Sequence, residues 1–334
     1  MRLDRELGVA IDVTPSLITS TVVDVLGTEH PIAQEHIDEH AERPAADVLK
    51  HAIDRACAAA GKNPALVTAV SVGIQAAVDP KTDDLLFNDD MPGWPRNRVR
   101  ASLAEQLGVA VVINNDANLA AIAERTAGIG ADASTFALLW LAEGLGLAVD
   151  LAGTIHQGSS GGAGEVGYLS APVEATKYNP PATLIEDLVS DEALVALARH
   201  HGFTVSTYGE VVDLLATPEG GESRLAGLLD DLASRVCLAL LPLTAVLDPE
   251  LVVIAGPTGM AGGAALTTRM ERWMRANSRW SPRIAVAQVT QTPVLRGARQ
   301  VLIEIVRSAL FDSVASIDRV PSSGEREEIL ADAG

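Results

Sequence analysis

The chain has 334 residues, 48% of them hydrophobic, 21% charged and only 3% aromatic. Above roughly 250–300 residues one hydrophobic core usually divides, so two lobes are expected. No apolar run reaches the ~18 residues of a membrane span, and Met1 to Glu6 do not read as a signal peptide. Cys57 and Cys237 are too few for a disulfide framework or a thiolate zinc site. The expectation is a cytoplasmic globular protein with no membrane partner. Against 25 basic residues stand 44 acidic ones, a net charge of −19. Such a surface repels phosphate backbones, so this chain alone is expected to bind no nucleic acid.

Leu7 to Asp12 is a short apolar run, and Leu17 to Val25 is rich in β-branched residues, with Gly27 as a turn signal. Together they predict an opening antiparallel pair of strands. Ala45 to Ala60 carries apolar residues at helical spacing and stops at Gly61. Val67 to Ile74 reads as a buried strand. A polar segment, Asp79 to Arg96, is broken by Pro80, Pro92, Gly93 and Pro95. A helix over Arg98 to Leu107, a strand over Val109 to Ile113 and a helix over Ala117 to Thr126 follow. This alternation implies an α/β sheet.

A second cycle then begins, with strands over Thr135 to Leu141 and Leu145 to Leu151 and a short third strand after Gly153. A long helix from about Leu225 to Val246 precedes an apolar strand, Leu251 to Ile254. Pro242 is expected to kink or break that helix. Leu295 to Ala315 is predicted helical, and the polar tail after Pro321 is expected to be mobile or a short helix. The division reads as an N-terminal α/β lobe over 1–116, completed by the helix at about 296–316. A second lobe covers 117–295, and the polar tail covers 321–334.

Three stretches carry a family resemblance: Val111 to Ala123 (VVINNDANLAAIA), Gln157 to Leu169 (QGSSGGAGEVGYL) and Leu247 to Gly256 (LDPELVVIAG). In that order they resemble the ROK family, which groups bacterial repressors with sugar kinases, over about Leu7 to Ala315. The resemblance implies an actin-like (ribonuclease H-like) ATPase fold, two α/β lobes with sugar and nucleotide in the cleft between them. It also implies a homodimer or a tetramer.

Asn115 and Asp116 lie just beyond a predicted strand, where strand ends line crevices in open α/β sheets. A carboxylate there can accept a proton from a sugar hydroxyl attacking a γ-phosphate. By resemblance Asp116 takes the place of the catalytic base and Asn115 that of a sugar ligand; the alternative is that the pair caps the following helix. Glu165, in a Gly-rich loop, is placed by the resemblance on sugar hydroxyls. Glu186 matches a second sugar-binding glutamate, or else belongs to a solvated helix face.

The pattern also departs from the family. The Gly-rich loop normally ends in Gly-His, whose histidine serves sugar and zinc; here Tyr168 stands there, either closing the pocket or anchoring the loop. No cysteine lies between Cys57 and Cys237, where the family has three zinc partners, so no family-type metal site is expected. His200-His201 reads as a solvated helix end. Kinase members open with Asp-x-Gly-Gly-Thr, whereas this chain has Asp12-Val13-Thr14-Pro15-Ser16, and Pro15 has no amide proton. The second phosphate loop, Gly-Thr-Gly-x-Gly in the family, reads Ala142-Glu143-Gly144-Leu145-Gly146. Glu143 puts negative charge where phosphate would lie, while Gly144 and Gly146 are attributed to the needs of the turn. Ala76 stands where the family has a glycine and Asp90 where it has an asparagine. Trp94 either stacks on a sugar or packs within its lobe.

The leading expectation is a sugar-sensing ROK protein of the transcriptional-regulator type, catalytically degenerate and without the helix-turn-helix domain, which does not fit ahead of Leu7. It would take a small sugar or sugar derivative and need no cofactor. The alternative is an ATP-dependent, glucokinase-like sugar kinase with atypical phosphate loops, using Asp116 as base, Gly144 and Gly146 at ATP, and magnesium.

Overall fold

The computed structural model describes residues 6–37, 43–87, 91–217 and 222–317. Asp90 and the polar tail lie outside the described residues. The first sheet uses strands β1 (Leu7–Val13), β2 (Leu17–Val23) and β3 (Ala33–His36), then helix α1 (Ala45–Ala60) and β4 (Val67–Ile74). A small hairpin, β5 (Ala77–Val78) and β6 (Leu85–Leu86), lies in the polar segment, and α2 (Val99–Leu107) leads to β7 (Ala110–Asn115). Helix α1 buries Ala45, Leu49, Ala52, Ile53, Ala56 and Cys57 along one stripe and ends where Gly61 turns left-handed at φ 63°. That stripe at i, i+3 and i+4 is the face a helix must hide against a sheet.

Helix α3 (Asp116–Ala127) leads into β8 (Thr135–Leu141), β9 (Leu145–Leu151) and β10 (Thr154–Ile155). Helices α4 (Asp191–His200), α5 (Tyr208–Ala216) and α6 (Glu222–Leu247) precede β11 (Leu251–Ala255), α7 (Gly256–Asn277), β12 (Arg283–Val286) and α8 (Pro293–Ile317). The two sheets repeat one plan: β3-β2-β1-β4-β7 and β10-β9-β8-β11-β12. In each, the first three strands in sequence pair antiparallel. A parallel strand then joins the first strand, and a second parallel strand joins that neighbour. The opening antiparallel pair is therefore present in both halves.

Helix α3 lies between the sheets, and α8 packs on the first sheet and against α3. Ala117, Ala120 and Ala121 of α3 pack with Phe136, Leu138, Val253 and Ala255 of the second sheet. Leu119 instead joins Ala10, Ala69, Leu295, Ala298 and Leu302 on the first. The helices meet closely at Gly297, where a Cβ would fall 1.9 Å from the carbonyl oxygen of Leu119. The alternation of small and large residues on one helix thus serves two cores at once.

Helix α6 continues through Pro242, so of the expected kink or break the break does not occur. Burial of Leu240, Leu243 and Thr244 around it holds that turn in the core despite the missing amide proton. Sequence reasoning did not identify β3, α4, α5, α7 or β12. Helix α7 begins with a glycine-rich run and contains a non-helical residue, Gly263, which disguises its period.

Candidate functional site

The carboxyl ends of β1, β4 and β7 form one edge of the first sheet. Asp12 is paired with Gly73, and Gly73 with Asn114, so three successive strands deliver these residues in a row. Strand β7 continues two residues past its predicted end, and the chain turns directly into α3. Asn115 is the N-cap of that helix, its Oδ1 accepting the Asn118 amide at 3.2 Å. The helix-capping alternative therefore describes the Oδ1 of Asn115. Asp116 follows in the first turn, its Oδ1 accepting the Ala117 amide at 2.7 Å.

Carboxylates at a helix N-terminus are normally stabilised in their charged form. Here burial outweighs that effect and raises the Asp116 carboxyl to about 6 despite its backbone hydrogen bonds. Asp12 is pushed up to about 7, first by burial and then by the negative charge of Asp116. Glu165 is raised to about 7 by burial, then by the charges of Asp116 and Glu186. Three carboxyl groups from strand β1, helix α3 and the Gly-rich loop therefore share one electrostatic environment, with Glu186 at its edge. Sequence reasoning noted Asp12 only as the head of a degenerate phosphate turn. Its position at the end of an apolar strand was the only local signal, since the parallel pairing that aligns it is tertiary.

Two glycines explain the convergence. Gly146 on β9 sits against the start of α3, and a Cβ there would lie 3.2 Å from that of Ala117. The Gly-rich loop packs on β9 at Gly164, φ 99°, where a Cβ would be 2.1 Å from the Leu147 carbonyl oxygen. Glu165 follows and caps a short 3₁₀ turn, Val166–Tyr168. Gln157, at the start of this loop, donates to Asn114 Oδ1 at 3.4 Å and ties it to β7.

Glu186 lies in a 3₁₀ turn, Glu186–Leu188, rather than on a solvated helix face. Its Oε1 accepts the amide of Leu145 at 3.4 Å. It would also come within 2.6 Å of a Cβ on Gly144. Neither Gly144 nor Gly146 has a positive φ. The sequence reading attributed both glycines to the needs of the turn; their lack of a side chain makes room for Glu186 and Ala117.

The other turn is also closed on itself. In the β1–β2 connection the Thr14 amide donates to Leu17 O at 3.0 Å, its hydroxyl donates to the same oxygen at 2.8 Å, and the Leu17 amide donates back to Thr14 Oγ1. With Pro15 lacking a donor, this turn presents little to an anion. Glu143 is exposed, and its carbonyl accepts the Asp191 amide at 3.1 Å.

The segment that carries Glu186 is held by hydrogen bonds. Asp187 Oδ2 accepts the amides of Thr183 and Leu184. Buried Arg235 on α6 donates to the carbonyls of Leu188 and Tyr178. Among the described residues, no group of three or more His, Cys, Asp or Glu is arranged to hold a metal ion. Tyr168 is a poor substitute for the family's histidine ligand, and the donor set does not fit zinc. His201, at the end of α4, bonds Asp231 at 2.8 Å. Trp94 packs against the first lobe's core, and Ala76 is buried. A cavity of about 1190 Å³, lined by Tyr178, Ile185, Trp273 and Trp280, contains none of the clustered carboxylates. No described helix is long and apolar enough to cross a membrane.

Two mixed sheets of one plan, joined through α3 and with carboxylates at strand ends, define an α/β protein of the actin-like ATPase fold. The chain matches the ROK family over residues 9–304 and belongs to it. It is 23% identical to a glucokinase of Halalkalibacterium halodurans over 231 residues, covering 65% of this chain and 70% of that one. A ROK family glucokinase from Streptomyces griseus, solved in complex with glucose and AMPPNP, superposes with a TM-score of 0.69 at 22% identity, covering 88% and 98% of the two chains. A ROK family transcriptional regulator, a homologue of the E. coli MLC protein, superposes at 0.72 with 16% identity, covering 92% and 80%. The family relatives thus include both sugar kinases and regulators.

Proposed function

We propose that this chain is the sugar-binding part of a ROK transcriptional regulator, acting in the cytoplasm without transferring phosphate. Asp116, Glu165 and Glu186 receive the hydroxyls of a sugar or sugar derivative, with the amide of Asn115 beside them. Carboxylates suit this task because each offers two acceptor oxygens to vicinal hydroxyls. The observation that carries the non-kinase reading is the Glu186 carboxylate on the Leu145 amide. One backbone donor at the end of the β8–β9 turn, the Leu145 amide, already meets a carboxylate, and a phosphate approaching it would face like charge. Two unit charges ~4 Å apart repel by about 4 kcal/mol at an effective dielectric near 20. Under this reading no cofactor is used, nucleic acid is contacted through another polypeptide segment, and the chain assembles as a homodimer or tetramer.

A second reading, an ATP-dependent sugar kinase, is favoured by Asp116. Its carboxyl, raised to about 6, is ionised at neutral pH yet basic enough to accept a hydroxyl proton. Magnesium and ATP would supply the transferred phosphoryl group, with Asp12 and the two turns facing it. Calorimetry with hexoses and amino sugars, with and without magnesium-ATP, separates the readings. Sugar binding without ATP binding is expected. Steady ADP production that is abolished by Asp116→Asn would overturn the regulator reading.

A further inference from the structure

We propose that Phe87 and Tyr168 form an aromatic subsite beside the carboxylates, which takes the second ring of a glycoside. The inference rests on the sugar-binding reading of Asp116, Glu165 and Glu186 and extends it to the substituent that the sugar carries. The chain has only four Phe, four Trp and three Tyr. Among the described residues, Phe87 at 36% and Tyr168 at 43% are the only aromatic side chains exposed to this degree. They are also in contact, ring centroids 5.2 Å apart and tilted by 48°. Two rings kept in water together, in a protein so poor in rings, mark a surface built for contact.

Their placement connects this surface to the site. Tyr168 ends the 3₁₀ turn capped by Glu165. Its neighbour Leu169 accepts the amide of Ile185, the residue before Glu186, at 2.8 Å. Tyr168 is therefore braced next to both glutamates. Phe87 reaches it from the other half of the molecule, just after β6. Its backbone is left-handed, φ 53°, a costly conformation for a bulky side chain. Its ring lies on Gly162 of the Gly-rich loop, where a Cβ would be only 2.7 Å from Phe87 Cε2. A strained backbone on one side and a missing side chain on the other hold the ring in this position.

A sugar with its hydroxyls on Glu165 and Glu186 would direct a substituent along this wall. An apolar ring face packs on aromatic carbon, whereas a lone hydroxyl or methyl group covers little of it. The preferred ligand is thus a glycoside or disaccharide rather than a free monosaccharide.

The test is calorimetry on the full chain with methyl and phenyl glycosides, both anomers, of glucose, mannose, galactose and N-acetylglucosamine. For the sugar that binds, the phenyl glycoside is expected to bind roughly fivefold to tenfold tighter than the methyl glycoside. Phe87→Ala should bring that ratio close to one, and Phe87→Trp should keep it. Equal affinities in the unmodified chain, or a ratio unchanged in Phe87→Ala, would overturn the subsite and leave the sugar reading standing. If none of the glycosides or parent sugars binds, both readings fall.

Discussion

The carboxylate cluster and the two turns after β1 and β8 differ in what they would offer a ligand. On one side, Asp116, Glu165 and Glu186 bring carboxylate oxygens together, and burial raises Asp116 and Glu165 well above ordinary carboxylates. On the other, Thr14 after β1 gives its donors to Leu17, and the Leu145 amide after β8 goes to Glu186. Asp12 and both turns stand at carboxyl ends of strands in sheets of identical order. Strand order places a ligand site there but does not determine its chemistry; that depends on which turn donors remain available.

The largest effect is expected where the support of the carboxylate side is removed. Arg235→Met leaves the carbonyls of Leu188 and Tyr178 without their charged donor, and should destabilise the fold by about 3 kcal/mol. Chemical denaturation measures this, and loss of sugar affinity should accompany it because Glu186 lies in the segment released. Next, Glu165→Ala should weaken sugar binding by roughly a hundredfold, since hydrogen bonds to charged groups contribute about 1.5–3 kcal/mol. An unchanged dissociation constant in calorimetry would remove Glu165 from the site.

A smaller gain tests the opposite side. Pro15→Gly combined with Glu143→Thr should improve magnesium-ATP affinity by about tenfold in calorimetry, since one change frees a donor and the other removes a charge. No improvement would mean that Glu186 alone closes the phosphate side.

A pH dependence is expected independently of these variants. Asp12, Asp116 and Glu165 have folded values of about 7, 6 and 7, above their unfolded values of 3.8, 3.8 and 4.5. Between those limits the folded chain holds more protons than the unfolded one, so stability falls as pH rises from about 4 to 7 and levels off above. Melting temperature should therefore drop by a few degrees between pH 5.5 and 8. Asp116→Asn should flatten the slope by removing its own titration and its charge from Asp12 and Glu165. A slope unchanged in that variant would show that Asp116 neither titrates above its unfolded value nor raises Asp12 and Glu165.

Much of this was legible locally. Strands Val67–Ile74, Thr135–Leu141 and Leu145–Leu151 and helix Ala45–Ala60 have the limits that periodicity and Gly61 predicted. Helix α5 carried a readable signal that went unused, the capping box of Thr207 and Glu210. The Gly-rich start of α7 and the four-residue edge strand β3 offered no clear period. At the site, Asp116 and Glu165 were found through motifs, while Asp12 was missed as a member of the carboxylate cluster. Its role depends on a parallel register with Gly73 and Asn114, which no local pattern encodes.

By itself the sequence determined what depends on near neighbours along the chain: the period of each helix, the strand runs, the loss of an amide at Pro15 and the absence of zinc-binding cysteines between Cys57 and Cys237. The tertiary structure decided what depends on residues far apart in sequence. It put Glu186 on the Leu145 amide, gave Gly144 and Gly146 their reason in close packing, and brought Phe87 onto Tyr168. It also raised three carboxyl groups together, because desolvation and repulsion between charges depend on distance in space, to which the order of residues gives only indirect access.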